Sequence, residues 1–165
     1  MKPDNMQNDN NQKNLLNIAR KAAEKSNCRR RRVGCVIAFD KTILIESNNG
    51  TPDGIQSCKD GGCDRCLSGI PSGESYESCL CMHAEQAAIA QAAKMGKQIS
   101  GATLYCTLRP CLNCLEICYS AGIKTIVFDD YIKFRPELEE AYSFFVNQTK
   151  FELIKILFYY GLNDS

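Results

Sequence analysis

A chain of 165 residues with 44% hydrophobic content has room for one domain built around a buried sheet, and not for a second. Twenty basic against 19 acidic side chains leave a net charge of +1, which excludes the overall basic footprint of a nucleic-acid binder and favours a small substrate. No apolar run reaches the length of about eighteen residues that a membrane helix needs, and the Asn/Asp/Gln-rich stretch from Met1 to Lys13 lacks the apolar centre of a secretory leader, so a cytoplasmic setting is expected.

Residues 1–12 read as a disordered polar tail and 13–165 as a single domain. Leu15, Leu16, Ile18, Ala19, Ala22 and Ala23 recur at helical spacing and predict an amphipathic helix ending at Ser26. Val33 to Phe39 is apolar and rich in β-branched residues, Asp40-Lys41 marks a tight turn and Thr42 to Ser47 supplies a second strand, together a β-hairpin. Asn48 to Ser78 is crowded with Gly, Asn, Asp, Ser and Cys and is too long for an unsupported loop, so something other than apolar burial must hold it.

From His83, the residues Ala84, Ala87, Ala88 and Ala92 predict a small-residue helix that ends near Gly96 and packs closely on a sheet. Ala102 to Thr107 reads as a third strand, Cys111 to Ala121 as a helix stopped by Gly122, and Lys124 to Phe128 as a fourth strand. Glu137 to Val146 is helical behind Pro136, and Phe151 to Tyr159 is the last strand. The β-α-β alternation predicts parallel pairing with helices over both faces of the sheet.

His83-Ala84-Glu85 and Pro110-Cys111-Leu112-Asn113-Cys114 carry the chemistry. One imidazole and two thiolates hold Zn²⁺ from three sides and leave the fourth tetrahedral position to a water whose pKa the metal lowers towards ~7. Glu85 follows His83 by two residues, so at a helix start it leans into the same pocket without binding the metal and is free to act as general acid and base. A purely structural zinc would need a fourth protein donor, and the only histidine of the chain already lies inside this motif.

Eleven cysteines cannot all pair within one chain. Cys28, Cys35, Cys106 and Cys118 sit in or beside apolar runs and read as small buried hydrophobes. Cys58, Cys63, Cys66, Cys79 and Cys81 crowd the polar loop, where a second, structural zinc held by four of the five would supply the missing stabilisation. A cluster of free thiols or a labile disulfide is the competing account. Arg29 to Arg32 form a basic run ahead of the first strand, with Arg31 and Arg32 nearest to it, able to bind a phosphate. Arg109, beside the metal motif, is a second phosphate candidate or a solvated charge.

These motifs resemble the zinc-dependent cytidine/deoxycytidylate deaminase superfamily, and within it the cysteine-rich dCMP deaminase branch. The resemblance is carried by Val33-Gly34-Cys35-Val36-Ile37, Asn49-Gly50-Thr51-Pro52, Gly61-Gly62-Cys63-Asp64-Arg65-Cys66 and Cys79-Leu80-Cys81-Met82-His83-Ala84-Glu85, and covers about Cys28 to Phe128. It implies an α/β fold of three layers, α/β/α, with a mixed, largely parallel five-stranded sheet, and assembly into homo-oligomers. It also implies hydrolysis of dCMP to dUMP and ammonia, feeding thymidylate synthesis, with Asn49 contacting the deoxyribose hydroxyl.

Three positions depart from the family pattern. Asn48 stands where the family often has a tyrosine tied to triphosphate regulation, which removes the basis for expecting such control. Ala87 replaces an asparagine, and Arg109 occupies a variable position. Deamination of dCTP, or of both nucleotides, is the nearest competing activity. A tRNA or single-strand base deaminase, using Tyr131, Phe134 and Arg135 as a stacking surface, and a catalytically silent zinc scaffold are the others.

Overall fold

The computed structural model describes residues 3–71 and 74–156. The first helix, α1 (Pro3–Glu24), leads into the antiparallel hairpin of β1 (Gly34–Phe39) and β2 (Thr42–Asn48). The expected disordered tail over residues 1–12 is corrected from Pro3 onward, because the chain is already helical there. Once Leu15, Leu16 and Ala19 anchor the helix on the sheet, nucleation has been met and each further turn costs little, while a proline is tolerated at the first helical position.

The long segment after β2 contains short 3₁₀ turns at Cys58–Asp60 and Tyr76–Ser78 and one four-residue helix, α2 (Asp64–Leu67). Its two ends are tied by a bridge in which the Gly50 N–H donates to the Met82 carbonyl at 3.2 Å and the Met82 N–H donates back at 2.9 Å. Then follow α3 (Ala84–Lys94), β3 (Thr103–Leu108), α4 (Leu112–Ser120), β4 (Thr125–Asp130), α5 (Pro136–Thr149) and β5 (Glu152–Lys155). The last strand is shorter than the expected Phe151 to Tyr159, of which residues 157–159 lie outside the described ones.

The sheet order is β2-β1-β3-β4-β5, and the five strands form the expected mixed sheet. Parallel pairing is confined to β3-β4-β5, the part connected by α4 and α5, whereas β1 is antiparallel to both of its neighbours. Alternation along the strands sends Cys35, Ile37, Leu104, Cys106 and Ile126 to one face, under α3, α4 and α5. Val36, Ala38, Tyr105 and Val127 go to the other, under α1, which completes the three layers. Gly34 is required by that packing, since a Cβ there would lie 2.0 Å from the Ala19 carbonyl oxygen.

Candidate functional site

The two motifs meet because α3 and α4 both begin beside the same end of the sheet. His83 and Cys111 stand at the N-cap positions of α3 and α4, and Cys114 lies in the first turn of α4. Here backbone N–H groups and the positive end of the helix dipole favour thiolate. His83 Nδ1 is 3.5 Å from Cys111 Sγ and 3.3 Å from Cys114 Sγ. A tetrahedral zinc with Zn–N of ~2.0 Å and Zn–S of ~2.3 Å would set that edge near ~3.5 Å, so the three donors fit the ion. His83, Cys111 and Cys114 form a set of three, and among the described residues no fourth His, Cys, Asp or Glu joins it.

The electrostatics agree with a cationic tenant. The hydrogen bond from Cys114, with His83 beside it, lowers the Cys111 thiol to about 4. The Cys111 sulfur, with burial, pushes the Cys114 thiol up. A thiolate at Cys111 thus keeps Cys114 protonated, and a dication bound to both sulfurs is what would release the second proton.

Glu85 is 4% exposed, and burial raises its carboxyl above the ordinary carboxylate range, with His83 opposing. Its wall is made of Cys35 and Cys106, whose sulfurs lie within 4.8 Å of a Glu85 oxygen and 3.0 Å from each other across β1 and β3. Those two cysteines are the buried small residues expected, and as neutral thiols they give Glu85 no charge partner. A carboxyl so placed holds a proton readily and releases it when the nearby charge changes.

Several groups that support the site carry no motif signal. Gln86 Oε1 accepts from the His83 backbone N–H at 3.0 Å, half of a capping box, legible only as a glutamine three residues after the cap. Tyr76 packs edge-on against the His83 ring at 5.6 Å and lies beneath the Arg65 guanidinium at 4.2 Å. A cleft opens over His83 and Cys111, lined also by Arg30, Arg31, Asn49 and Tyr76.

Asn49 lines that cleft, but most of its amide is already engaged. Its Oδ1 accepts from Ser26 Oγ and from the Val33 N–H, both at 2.8 Å, and its Nδ2 donates to the Arg31 carbonyl at 2.7 Å. The residue therefore fastens the basic run to β2, and one N–H remains for a sugar hydroxyl. The guanidinium of Arg31 lines the cleft and has no hydrogen bond or ion pair among the described residues. Arg29 and Arg30 donate to the carbonyls of Lys59 and Ile70. Arg32 faces an outer groove with Lys59 rather than the metal set.

Arg109 corrects both expectations made for it. It is 8% exposed, so it is no solvated charge, and its guanidinium is committed to Glu139, at 2.7 and 3.0 Å, and to Tyr131 Oη and the Ile132 carbonyl. The rings of Tyr131, Phe134 and Tyr142 surround it at 4.0 to 4.9 Å. Tyr131 and Phe134, considered as a stacking surface for bases, both pack on this arginine, and Tyr131 remains 48% exposed.

Arg109 in turn holds the Glu139 carboxyl below the usual carboxylate range. A depressed folded pKa stabilises the fold above the unfolded value of ~4.3 and loses that contribution as pH falls through the folded one. Glu139→Gln is accordingly expected to unfold at lower urea than the parent at pH 7, with the gap closing below about pH 4.

The fold and the three-donor site with its separate carboxylate define a zinc-dependent deaminase domain. Residues 9–129 match the family model described as cytidine and deoxycytidylate deaminase zinc-binding region, and the chain belongs to that family. It is 40% identical over 116 residues to the deoxycytidylate deaminase of Schizosaccharomyces pombe, covering 69% of this chain and 35% of that one, and so spans about a third of that relative's length. It is 36% identical over 119 residues to the deoxycytidylate deaminase of Mycobacterium phage D29, covering 69% of this chain and 90% of the relative. The solved dCMP deaminase of cyanophage S-TIM5, in complex with dCMP and dUMP, superposes with a TM-score of 0.67 at 26% identity, covering 94% of this chain and 99% of that one.

Proposed function

We propose that the protein hydrolyses dCMP to dUMP and ammonia, with Glu85 as general acid and base and zinc at His83, Cys111 and Cys114. The observation that carries this reading is a metal set of three donors from which the adjacent buried carboxylate stands apart. When bound, zinc supplies an acidified water at its remaining coordination position. Glu85 would take a proton from the attacking water and pass it to the ring nitrogen beside carbon 4 of the cytosine, then carry a second proton from the new hydroxyl to the departing amine. The similarity to a solved enzyme holding dCMP and dUMP supports the nucleotide.

Arg31 is the proposed phosphate ligand, since its unpaired guanidinium overlooks the cleft and a guanidinium fork matches phosphate oxygens. Asn49 orients it and offers its remaining N–H to the sugar. Arg31→Ala is expected to raise KM for dCMP by about tenfold, with a much smaller effect on kcat, as uniform binding requires. Unchanged steady-state constants would remove the arginine from the site.

A structural zinc in the cysteine loop belongs to the same proposal, with Cys63, Cys66, Cys79 and Cys81 as its donors. No helix among the described residues is long and apolar enough to cross a membrane, and reduced thiols fit a cytoplasmic enzyme. Homo-oligomers are proposed as well, with the exposed Ile117, Tyr119 and Phe144 of α4 and α5 as apolar contact residues, tested by sedimentation. The test of the activity is ammonia release from dCMP, dCTP, cytidine and a cytosine-containing oligonucleotide. Release from dCMP alone is expected; release only from the oligonucleotide or only from dCTP would overturn the substrate.

A further inference from the structure

Six cysteines, not five, meet in the loop. Cys28, read from the sequence as a buried hydrophobe, joins Cys58, Cys66 and Cys81 in one set of four, while Cys63, Cys66, Cys79 and Cys81 form another. Within each set all four sulfurs lie within 4.8 Å of one another, and Cys66 and Cys81 belong to both. We propose that this loop holds two zinc ions joined through the shared thiolates of Cys66 and Cys81, with Cys28 and Cys58 completing one tetrahedron and Cys63 and Cys79 the other. The proposal rests on the reading of a structural metal in the loop and doubles it.

Distances support it first. Cys66 and Cys81 sulfurs are 3.9 Å apart, as are those of Cys63 and Cys79. Zn–S bonds of ~2.3 Å give a tetrahedral edge of ~3.8 Å, whereas a disulfide would bring the sulfurs to ~2.05 Å. One observed pair is thus the edge common to both tetrahedra and the other is an edge of the second alone.

The chemical surroundings come next. Cys28, Cys58, Cys63 and Cys81 are buried, and this local cluster consists of cysteines alone, with Cys66 and Cys79 packed against it, so no aliphatic core holds the loop. One ion in either set would leave two cysteines of the other without a metal beside a charged thiolate centre. Filling the second set costs no net charge: the incoming Zn²⁺ displaces two thiol protons to solvent and forms four Zn–S bonds, two to the thiolates so freed and two to the shared sulfurs of Cys66 and Cys81. The charge that remains is met by backbone donors. The Arg29 N–H donates to Cys58 Sγ at 3.4 Å, the Arg30 and Arg31 N–H groups point at Cys28, and those of Cys66, Leu80 and Cys81 at Cys63.

The spacing Cys58-x₄-Cys63-x₂-Cys66 is also that of plant-type [2Fe–2S] proteins. The fold separates Cys58 from Cys63, however, putting them in different sets, so the four thiols of such a centre are not brought together. The ion pair would instead brace the catalytic cleft from two directions. Cys28 lies immediately before the arginine run, and Cys81 lies two residues before His83.

The test is zinc content of the whole chain, purified without oxidation, by non-denaturing mass spectrometry. Three zinc ions per chain are expected, falling to two in Cys28→Ser and to one, the catalytic ion, in Cys66→Ser. Two zinc ions in the parent protein would overturn the pair and keep the single structural ion. One zinc would overturn both while leaving the deaminase reading to its own assay. Iron with visible absorbance in the loop would overturn the assignment to zinc. If the serine variants fail to fold, the parent count still decides, and so does a cadmium-113 spectrum of the cadmium-loaded protein: two mutually split loop resonances are expected, and unsplit resonances would contradict shared sulfurs.

Discussion

Glu85→Gln is expected to lower kcat for dCMP by about 10⁴-fold, the upper end of what one acid/base group contributes, because the same carboxyl serves every proton transfer in the proposal. The amide is nearly isosteric, so the small-residue packing of α3 against the sheet is preserved. Burial is the largest influence on the Glu85 carboxyl and outweighs its contacts with His83 and Cys114, so replacing the acid with a neutral amide lifts a desolvation cost and the variant should be at least as stable as the parent. Its zinc content should be unchanged, since Glu85 is outside the metal set. Loss of turnover with full zinc separates a proton carrier from a ligand; turnover near the parent rate would remove Glu85 from the chemistry.

Cys114→Ser is expected to give the complementary result, with the catalytic zinc lost and activity abolished together. The serine hydroxyl is a far weaker zinc donor at neutral pH than a thiolate, leaving His83 and Cys111 to hold the ion. The position is fully buried in the first turn of α4, so the vacated site leaves Cys111 and His83 to pair with each other and does not open the core. Metal analysis should find one zinc fewer per chain than in the parent, with the loop complement intact. A full complement with parent activity would show that the ion is held by another set.

The residues that were legible in the sequence are those whose role depends on local spacing. H-x-E and P-C-x-x-C each fall within one helical turn, so the chain order already implies that the donors converge once two helices start beside neighbouring strand ends. The strand Val33 to Phe39 was legible as an apolar run, but because it is buried on both sides only the fold separates Cys35 and Ile37 from Val36 and Ala38. What escaped depends on distant contacts. Cys28 is thirty residues from Cys58 and has no second cysteine at ligand spacing beside it, so nothing local marks it as a ligand. Arg109 finds Glu139 thirty residues later, on α5, and only the parallel register of β3 and β4 delivers the two to one place. The helical start at Pro3 was hidden for another reason, because a polar composition speaks about burial and not about whether an anchored helix propagates.

The central claim is that His83, Cys111 and Cys114 hold a zinc whose fourth position belongs to the reaction and not to the fold. A crystal structure of the zinc-loaded protein, with anomalous data at the zinc edge, tests it directly. The expected map shows an ion bonded to His83 Nδ1 and the two sulfurs, with a solvent oxygen or the nucleotide base completing the tetrahedron and Glu85 beside it. A fourth amino-acid donor closing that ion off from the cleft would contradict the account.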